Sequence, residues 1–202
     1  MTTSSALIVR GGWEGHFPVE ATDRYAAELR ARDYQVTVSD TLDSYLDADL
    51  LAASDLIVQC WTMGTITRDQ LAGLSAAVRA GSGFAGWHGG IIDSFRAEPG
   101  YHLVTGGQFV HHPKGFVDYT VRPVSELFAD LGEFPVHTEL YTVHVDPSIQ
   151  IHAVTGTATP VAWTRNWGGG KVFVTTLGHH PPDFEVPETN EMIIRGLSWA
   201  TR

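Results

Sequence analysis

The sequence has almost no cysteine and few basic residues. Cys60 is the single cysteine among 202 residues, so no intramolecular disulfide can form. Because Cys60 ends the apolar run that begins at Leu56, we expect it to be a buried, chemically inert core residue. Lysine and arginine number 13 against 23 acidic residues, which gives a formal net charge of −10. This charge argues against nucleic acid and anionic membranes as partners.

Long hydrophobic runs are also missing. No apolar run approaches the roughly 20 residues of a membrane-spanning helix. The segment that follows Met1 has no basic region of the kind that opens a signal peptide. We therefore expect no membrane partner and a cytoplasmic location. No repeat, low-complexity stretch or linker interrupts the chain, which favours a single domain over residues 1–202, and a homo-oligomer is compatible with the sequence.

Apolar segments alternate with helical patterns over the first ninety residues. Thr67 and Gln70 have the spacing of a capping box and mark the start of one helix. The alternation predicts an α/β fold in which a parallel sheet has helices on both faces. The predicted strands lie at 6–9, 34–38, 55–61 and 83–87, and the predicted helices at 18–32, 42–51 and 67–81.

The second half of the chain has a different pattern. Strand-like segments at 116–121 and 149–154 are separated by loops that contain proline. Residues 159–165 and 171–177 flank a glycine-rich turn and predict a β-hairpin. A last helix is expected over 187–201. The predicted architecture is therefore a three-layer α/β fold with a mostly parallel central sheet plus added β-hairpins.

The strand predicted at 83–87 runs into the sequence Gly86-x-His88-x-Gly90. This is the spacing of a nucleophile elbow, a sharp turn from strand to helix that exposes one side chain. Glycines flank the central residue because the turn is too tight for a Cβ on either side. An ordinary elbow carries serine or cysteine, whereas this one carries His88. The alternative is a glycine-rich turn with an incidental histidine.

Nine of the ten histidines lie between residues 88 and 180. His88 and His179 each follow an apolar strand, and strand ends of a parallel sheet converge on the ligand-binding rim. Glu139 is the carboxylate we expect to join them as a general base or by orienting an imidazole, with a solvated loop position as the alternative. His144 and His152 alternate with apolar residues and are interpreted as solvent-facing strand positions.

The histidines also raise the question of a metal. The sequence has neither an HExxH nor a CxxC motif, and no cofactor is expected on that basis. A zinc site built from His88, His112, Glu139 and His179 remains an alternative.

Tryptophans lie beside these polar groups. Trp13 and Trp61 follow predicted strands, and Trp163 and Arg165 alternate within one strand, so they share a face. Aromatic rings near polar side chains suit the apolar faces of sugars, while arginine and histidine can bind hydroxyl groups. These four residues are candidate contacts for a small-molecule carbohydrate.

A set of short motifs occurs in a fixed order along residues 6–200, and together they resemble the ThuA-like (trehalose utilisation) family. The motifs are Gly83-x-x-Gly86-x-His88-Gly89, Gly106-Gly107-x-Phe109-x-x-His112-Pro113, Glu139-x-Tyr141, Pro160-Val161-Ala162-Trp163-Thr164-Arg165, Gly170-Lys171-Val172-Phe173 and Leu177-Gly178-His179-x-Pro181. Three residues within them, Gln108, His112 and Tyr141, join the candidate substrate-binding residues.

The resemblance implies a flavodoxin-like core, similar to that of class I glutamine amidotransferases. His88 then stands where those enzymes have their cysteine, and His179 where they have their catalytic histidine. Without a thiolate the amidotransferase reaction is not expected. Thr138 stands where an acidic residue often precedes the glutamate, which weakens any two-carboxylate mechanism. The resemblance implies a role in carbohydrate catabolism, on disaccharides or their keto derivatives.

Three functions remain open from the sequence. The first is a sugar-processing, hydrolase-like enzyme that uses His88, His179 and Glu139 for acid–base chemistry. The second is a non-catalytic carbohydrate-binding or regulatory domain, and the third is a metal-dependent hydrolase. Neither histidine side chain is expected to fill core volume, so substituting either one is expected to leave the fold intact.

Overall fold

The computed structural model describes residues 3–202. Strands and helices alternate through the first half, and strands predominate in the second. The strands are β1 (Ser5–Gly12), β2 (Gln35–Ser39), β3 (Leu56–Thr62), β4 (Gly83–Trp87), β5 (Gly107–His111), β6 (Val117–Pro123), β7 (Phe134–Thr138), β8 (Thr142–Val145), β9 (Gln150–Thr155), β10 (Pro160–Trp167) and β11 (Gly170–Thr175). The helices are α1 (Pro18–Arg30), α2 (Ala48–Ala53), α3 (Arg68–Ala80), α4 (Gly89–Ile92), α5 (Pro99–Thr105) and α6 (Pro187–Ala200).

Nine strands form one mixed sheet in the order β2-β1-β3-β4-β11-β10-β9-β6-β7. The first five of these are mutually parallel, which confirms the predicted parallel core. From β11 onward each neighbouring pair is antiparallel, and the predicted hairpin is the pair β10–β11. The carboxyl ends of β1, β3, β4 and β11 therefore lie along one edge of the sheet.

Both faces of the sheet are covered, so the fold has the three layers expected. Alternate residues of β1 enter two different cores, with Ile8 in one and Leu7 in the other. Helices α1 and α6 pack on the Ile8 side, and α2, α3 and α5 pack on the Leu7 side. The inner strands β1, β3 and β4 are apolar on both faces because both faces are buried.

Short sequence signals mark where helix α3 begins and ends, as predicted. The Thr67 hydroxyl accepts from the Gln70 backbone N–H, and the Gln70 side chain accepts from the Thr67 backbone N–H, so the predicted capping box is present. Gly81 follows α3 with φ 125°, a value that glycine adopts readily. Cys60 is buried as predicted, and burial raises the pKa of its thiol to about 12.

One histidine prediction is wrong. His144 is exposed on β8, as expected, but His152 is buried in β9. Its Nδ1 lies 2.6 Å from the Ser125 hydroxyl and its Nε2 lies 2.7 Å from the Thr164 hydroxyl. The face that the sequence pattern assigned to solvent is covered by the 3-10 turn Glu126–Leu131, whose Phe128 packs edge-on against the imidazole.

Within residues 3–202, no helix combines the length and the apolar character needed to cross a membrane.

Candidate functional site

The sequence around His88 folds as the elbow it predicts. Strand β4 ends at Trp87, His88 has φ 46° and ψ −143°, and α4 begins at Gly89. A non-glycine residue in this backbone region is strained, and such strain is characteristic of functional sites. The flanking glycine at position 90 is required by packing, because a Cβ there would lie 2.8 Å from the Cα of Cys60.

The His88 imidazole is fixed at both ring nitrogens. Its Nδ1 lies 2.7 Å from the Thr176 carbonyl oxygen, an acceptor, so the proton of the neutral ring is on Nδ1. Its Nε2 lies 3.2 Å from Oε2 of Glu139 and 3.2 Å from Nδ1 of His179. The His179 Nδ1 is also 3.2 Å from the same carboxylate oxygen. The three residues that the sequence selected for acid–base chemistry thus meet at one point.

The structure adds His16 to this group, a histidine that the sequence analysis missed. It ends the short 3-10 turn Glu14–His16 that follows β1, and its ring lies edge-on to those of His88 and His179, with centroids 4.7 and 4.9 Å away. One ligand atom from each of His16, His88, Glu139 and His179 lies within 4.8 Å of the others. We call these four residues the His/Glu cluster. His16 could have been selected from the sequence, because it follows the predicted first strand and therefore lies at the same edge of the sheet as His88 and His179.

Two neighbours hold the His16 ring in place. Its Nδ1 lies 2.8 Å from the Thr62 hydroxyl at the end of β3. Gly89 leaves the space that the ring occupies, because a Cβ there would be 2.3 Å from Cε1 of His16. The absence of a side chain at Gly89 therefore makes room for the His16 ring in the cluster.

Asp183, which the sequence analysis did not select, supports the His179 segment. Its Oδ2 accepts hydrogen bonds from the His179 backbone N–H at 2.8 Å and from the Thr138 hydroxyl at 2.6 Å. Thr138 immediately precedes Glu139, and the Tyr119 hydroxyl donates to the Glu139 carbonyl at 3.2 Å. The segments that carry Glu139 and His179 are thus joined through one carboxylate.

Tyr141 and His112 flank the cluster at increasing distance. The Tyr141 ring is buried against His88, with ring centroids 4.1 Å apart. His112 is about one-third exposed; its Nδ1 lies 3.8 Å from Oε1 of Glu139 and 2.7 Å from the Pro113 carbonyl oxygen. The zinc alternative raised from the sequence included His112, but the group of four neighbouring ligand residues in the structure contains His16 and not His112.

Burial governs the electrostatics of the cluster. It lowers the pKa of the His16 imidazole from 6.5 to about 2, reinforced by the nearby His88 and His179. It also lowers the pKa of His88, against the opposing effect of Glu139. For Glu139, burial opposes ionisation, but the adjacent His179 and His88 outweigh it and hold the pKa of the carboxyl well below its usual range. At neutral pH the cluster therefore contains a carboxylate and at least two neutral imidazoles.

The remaining predicted residues lie at different distances from this cluster. Trp13 is 49% exposed, and its ring contacts His16 edge-on with centroids 4.8 Å apart. Trp61 is half-buried at the end of β3, and its ring lies close beneath Gly11. Gln108 is half-buried in β5.

Trp163 and Arg165 share a face of β10, and this face packs against the end of α5. Trp163 is fully buried, and its Nε1–H donates to the Thr105 carbonyl at 3.0 Å. Arg165 donates to the Leu103 carbonyl at 2.6 Å. This corrects the expectation that their face lines the same cleft as His88. The end of α5, which the sequence did not predict, covers that face.

Comparisons with known proteins agree with this fold. A family model described as ThuA, trehalose utilisation, matches residues 5–200. A ThuA-like protein from Bacteroides uniformis superimposes with a TM-score of 0.83 at 14% identity, covering 98% of this chain and 91% of that one. A ThuA-like protein from Parabacteroides merdae gives a TM-score of 0.78 at 14% identity, with coverages of 98% and 90%.

A larger protein contains a similar unit. The cold-adapted β-galactosidase from Rahnella sp. R3 matches with a TM-score of 0.63 at 18% identity, over 95% of this chain and 31% of the enzyme. At these identities the structural matches establish a shared fold alone. A search by sequence among curated proteins finds no match.

Proposed function

We propose, from the premise that this chain belongs to the ThuA (trehalose utilisation) family, that it is a carbohydrate-catabolic enzyme acting on disaccharides or their keto derivatives. The observation that carries the proposal is the His/Glu cluster, in which a strained elbow residue aims its free Nε2 at a carboxylate. Strain and burial of this kind are costly and are typical of catalytic sites.

Glu139 is the group best suited to accept a proton from the substrate. Its Oε2 faces His88 and His179, whereas its Oε1 faces His112, the more exposed side of the site. A depressed pKa keeps the carboxyl ionised at neutral pH. A substrate that enters beside His112 therefore meets an anionic base whose second oxygen is fixed. His88 and His179 hold that carboxylate in place and keep it ionised.

Exposed aromatic rings on both sides of the cluster support a sugar as the substrate. Trp13 stands against His16, and Phe116, which is 40% exposed, contacts His179 with ring centroids 5.1 Å apart. Aromatic faces of this kind pack against the C–H faces of pyranose rings. Trp13 was selected from the sequence; Phe116 was not.

A glutamine amidotransferase activity does not fit these residues. The elbow carries an imidazole, and Cys60 is a buried thiol whose pKa burial raises to about 12. No thiolate is therefore available at neutral pH to attack an amide.

The proposal is tested by screening disaccharides, with trehalose included, together with their 3-keto forms, and by following product release. We expect turnover of at least one of them. Glu139→Gln should lower kcat by ~10²–10⁴-fold, the usual contribution of a positioned proton-transfer group. Glu133→Gln, at an exposed glutamate, is the matched control and should keep wild-type turnover. Binding of a sugar without any turnover would instead support the carbohydrate-binding alternative.

A further inference from the structure

The His/Glu cluster directs three ligand atoms at one point. Nδ1 of His88 lies 2.7 Å from the Thr176 carbonyl oxygen, so the other ring nitrogen, Nε2, faces Oε2 of Glu139 at 3.2 Å. Nδ1 of His179 lies 3.2 Å from both of these atoms. Imidazole nitrogens and a carboxylate oxygen that converge in this way can share one bound cation.

The spacing of the three closest atoms fits coordination to a common ion. His88 Nε2, Glu139 Oε2 and His179 Nδ1 are separated pairwise by 3.2 Å. Ligands at the corners of a tetrahedron around zinc, with bonds of roughly 2.0–2.1 Å, are about 3.3–3.4 Å apart. The triangle is therefore close to one face of such a tetrahedron.

Two of the three histidines, His16 and His88, have the outer contacts that are typical of metal ligands. A ligating histidine usually gives its other ring nitrogen to a carbonyl or a polar side chain, which fixes the tautomer and the ring orientation. Here His88 is held by the Thr176 carbonyl and His16 by the Thr62 hydroxyl. The ligand atom of His16 lies within 4.8 Å of the other three ligand atoms.

We propose that His88, Glu139 and His179 bind one divalent transition-metal ion of the zinc class, with His16 at the fourth position. Imidazole nitrogens with a single carboxylate oxygen favour zinc and its neighbours over magnesium or calcium, which prefer all-oxygen sites. Binding of the ion does not depend on the reaction. Its role rests on the proposed function: beside a sugar it would polarise a substrate oxygen as a Lewis acid.

Cobalt(II) is a suitable probe, because its visible absorption reports tetrahedral coordination. The full-length protein is stripped with a chelator and titrated with Co²⁺, and Zn²⁺ is then added as competitor. We expect one Co²⁺ per chain, an intense visible spectrum and displacement by Zn²⁺. Thr62→Val, which removes the hydroxyl that holds His16, should weaken binding by about 10–100-fold. His88→Asn and Glu139→Gln, which remove ligands, should weaken it at least as much.

His144→Ala, at an exposed histidine outside the cluster, is the control and should bind as wild type does. Failure to form a one-to-one complex, or equal affinity in His144→Ala and Glu139→Gln, would overturn the inference. Glu139→Gln is nearly isosteric, so it decides the question if His88→Asn does not fold. The titration uses no substrate, so its failure is distinct from absence of turnover, which would count against the proposed function.

Discussion

At the residue scale, the elbow histidine is more deeply embedded than its sequence context suggests. His88 is 1% exposed and His179 is 8% exposed, so the expectation that neither side chain fills core volume is wrong. The spacing of glycines located the turn correctly, but it could not show that Tyr141 and His16 would close over the imidazole. Contacts between residues far apart in sequence have no local signature.

The buried environment of His88 leads to a prediction about stability. His88→Ala leaves the Thr176 carbonyl without its donor and should lower the free energy of unfolding by about 1–3 kcal/mol. His88→Asn should retain most of that stability, because an amide N–H can still reach this carbonyl and asparagine tolerates positive φ. Urea denaturation of the two variants measures the difference. Equal stability of both variants would show that the Thr176 hydrogen bond contributes little.

Gly89 supplies a second residue-scale prediction. A methyl group at this position would lie 2.3 Å from Cε1 of His16, so Gly89→Ala must displace the ring or the elbow. Overpacking of this kind typically costs about 1–3 kcal/mol. Gly156→Ala is the matched control, because a Cβ there meets no atom within 4 Å and should change stability by less than about 0.5 kcal/mol. Thermal unfolding of both variants tests the contrast; similar midpoints would contradict it.

At the element scale, the strands and the two long helices of the first ninety residues were predictable, and the short elements of the middle were not. The helix predicted at 42–51 is instead a 3-10 turn, Leu42–Leu46, followed by α2. Strands β1, β3 and β4 have long apolar runs because both faces of the sheet are covered there, whereas the edge strand β2 alternates apolar and polar residues. Strand β7 was missed because Pro135 lies inside it, and the structure explains this: β7 is an edge strand, where proline is tolerated. Helix α5 and strands β5 and β8 have four to seven residues each, too few for a clear period.

The capping box of α3 is the element whose sequence signal is clearest. Thr67→Ala removes the oxygen that accepts from the Gln70 N–H and should lower the free energy of unfolding by ~1 kcal/mol. Because α3 packs on the sheet away from the elbow, turnover and metal affinity should stay at wild-type values. Denaturant unfolding with an unchanged m-value would support this; a loss above about 2 kcal/mol would point to a wider role for Thr67.

At the scale of the whole molecule, the cluster exists only because the two halves of the sheet meet. His16, His88 and His179 follow β1, β4 and β11, which are parallel, whereas Glu139 follows β7 at the far antiparallel edge. Because the carboxyl ends of parallel strands lie at one edge of the sheet, the sequence could place the three histidines together. The position of Glu139 beside them depends on how the antiparallel strands fold, which the sequence pattern does not show. The single domain over residues 1–202 and the cytoplasmic location remain predictions from the sequence.

The antiparallel half also predicts how stability depends on pH. Burial lowers the pKa of His152 in the folded protein, so the unfolded chain binds a proton there more readily. Stability from this residue is complete above the unfolded pKa of ~6.5 and is lost as pH falls below it. His152→Gln should therefore lose less stability than wild type between about pH 7 and about pH 5 in urea denaturation. An identical pH dependence for the two proteins would contradict the assignment.

The central claim is that four residues from separate segments converge on one cation, and anomalous diffraction at the zinc edge from crystals grown with Zn²⁺ tests it most directly. We predict one strong peak at roughly 2.0–2.2 Å from Nε2 of His88, Oε2 of Glu139 and Nδ1 of His179. The His16 ring should border the same peak. A cluster without anomalous density, or imidazoles that point to different sides of the sheet, would contradict the account.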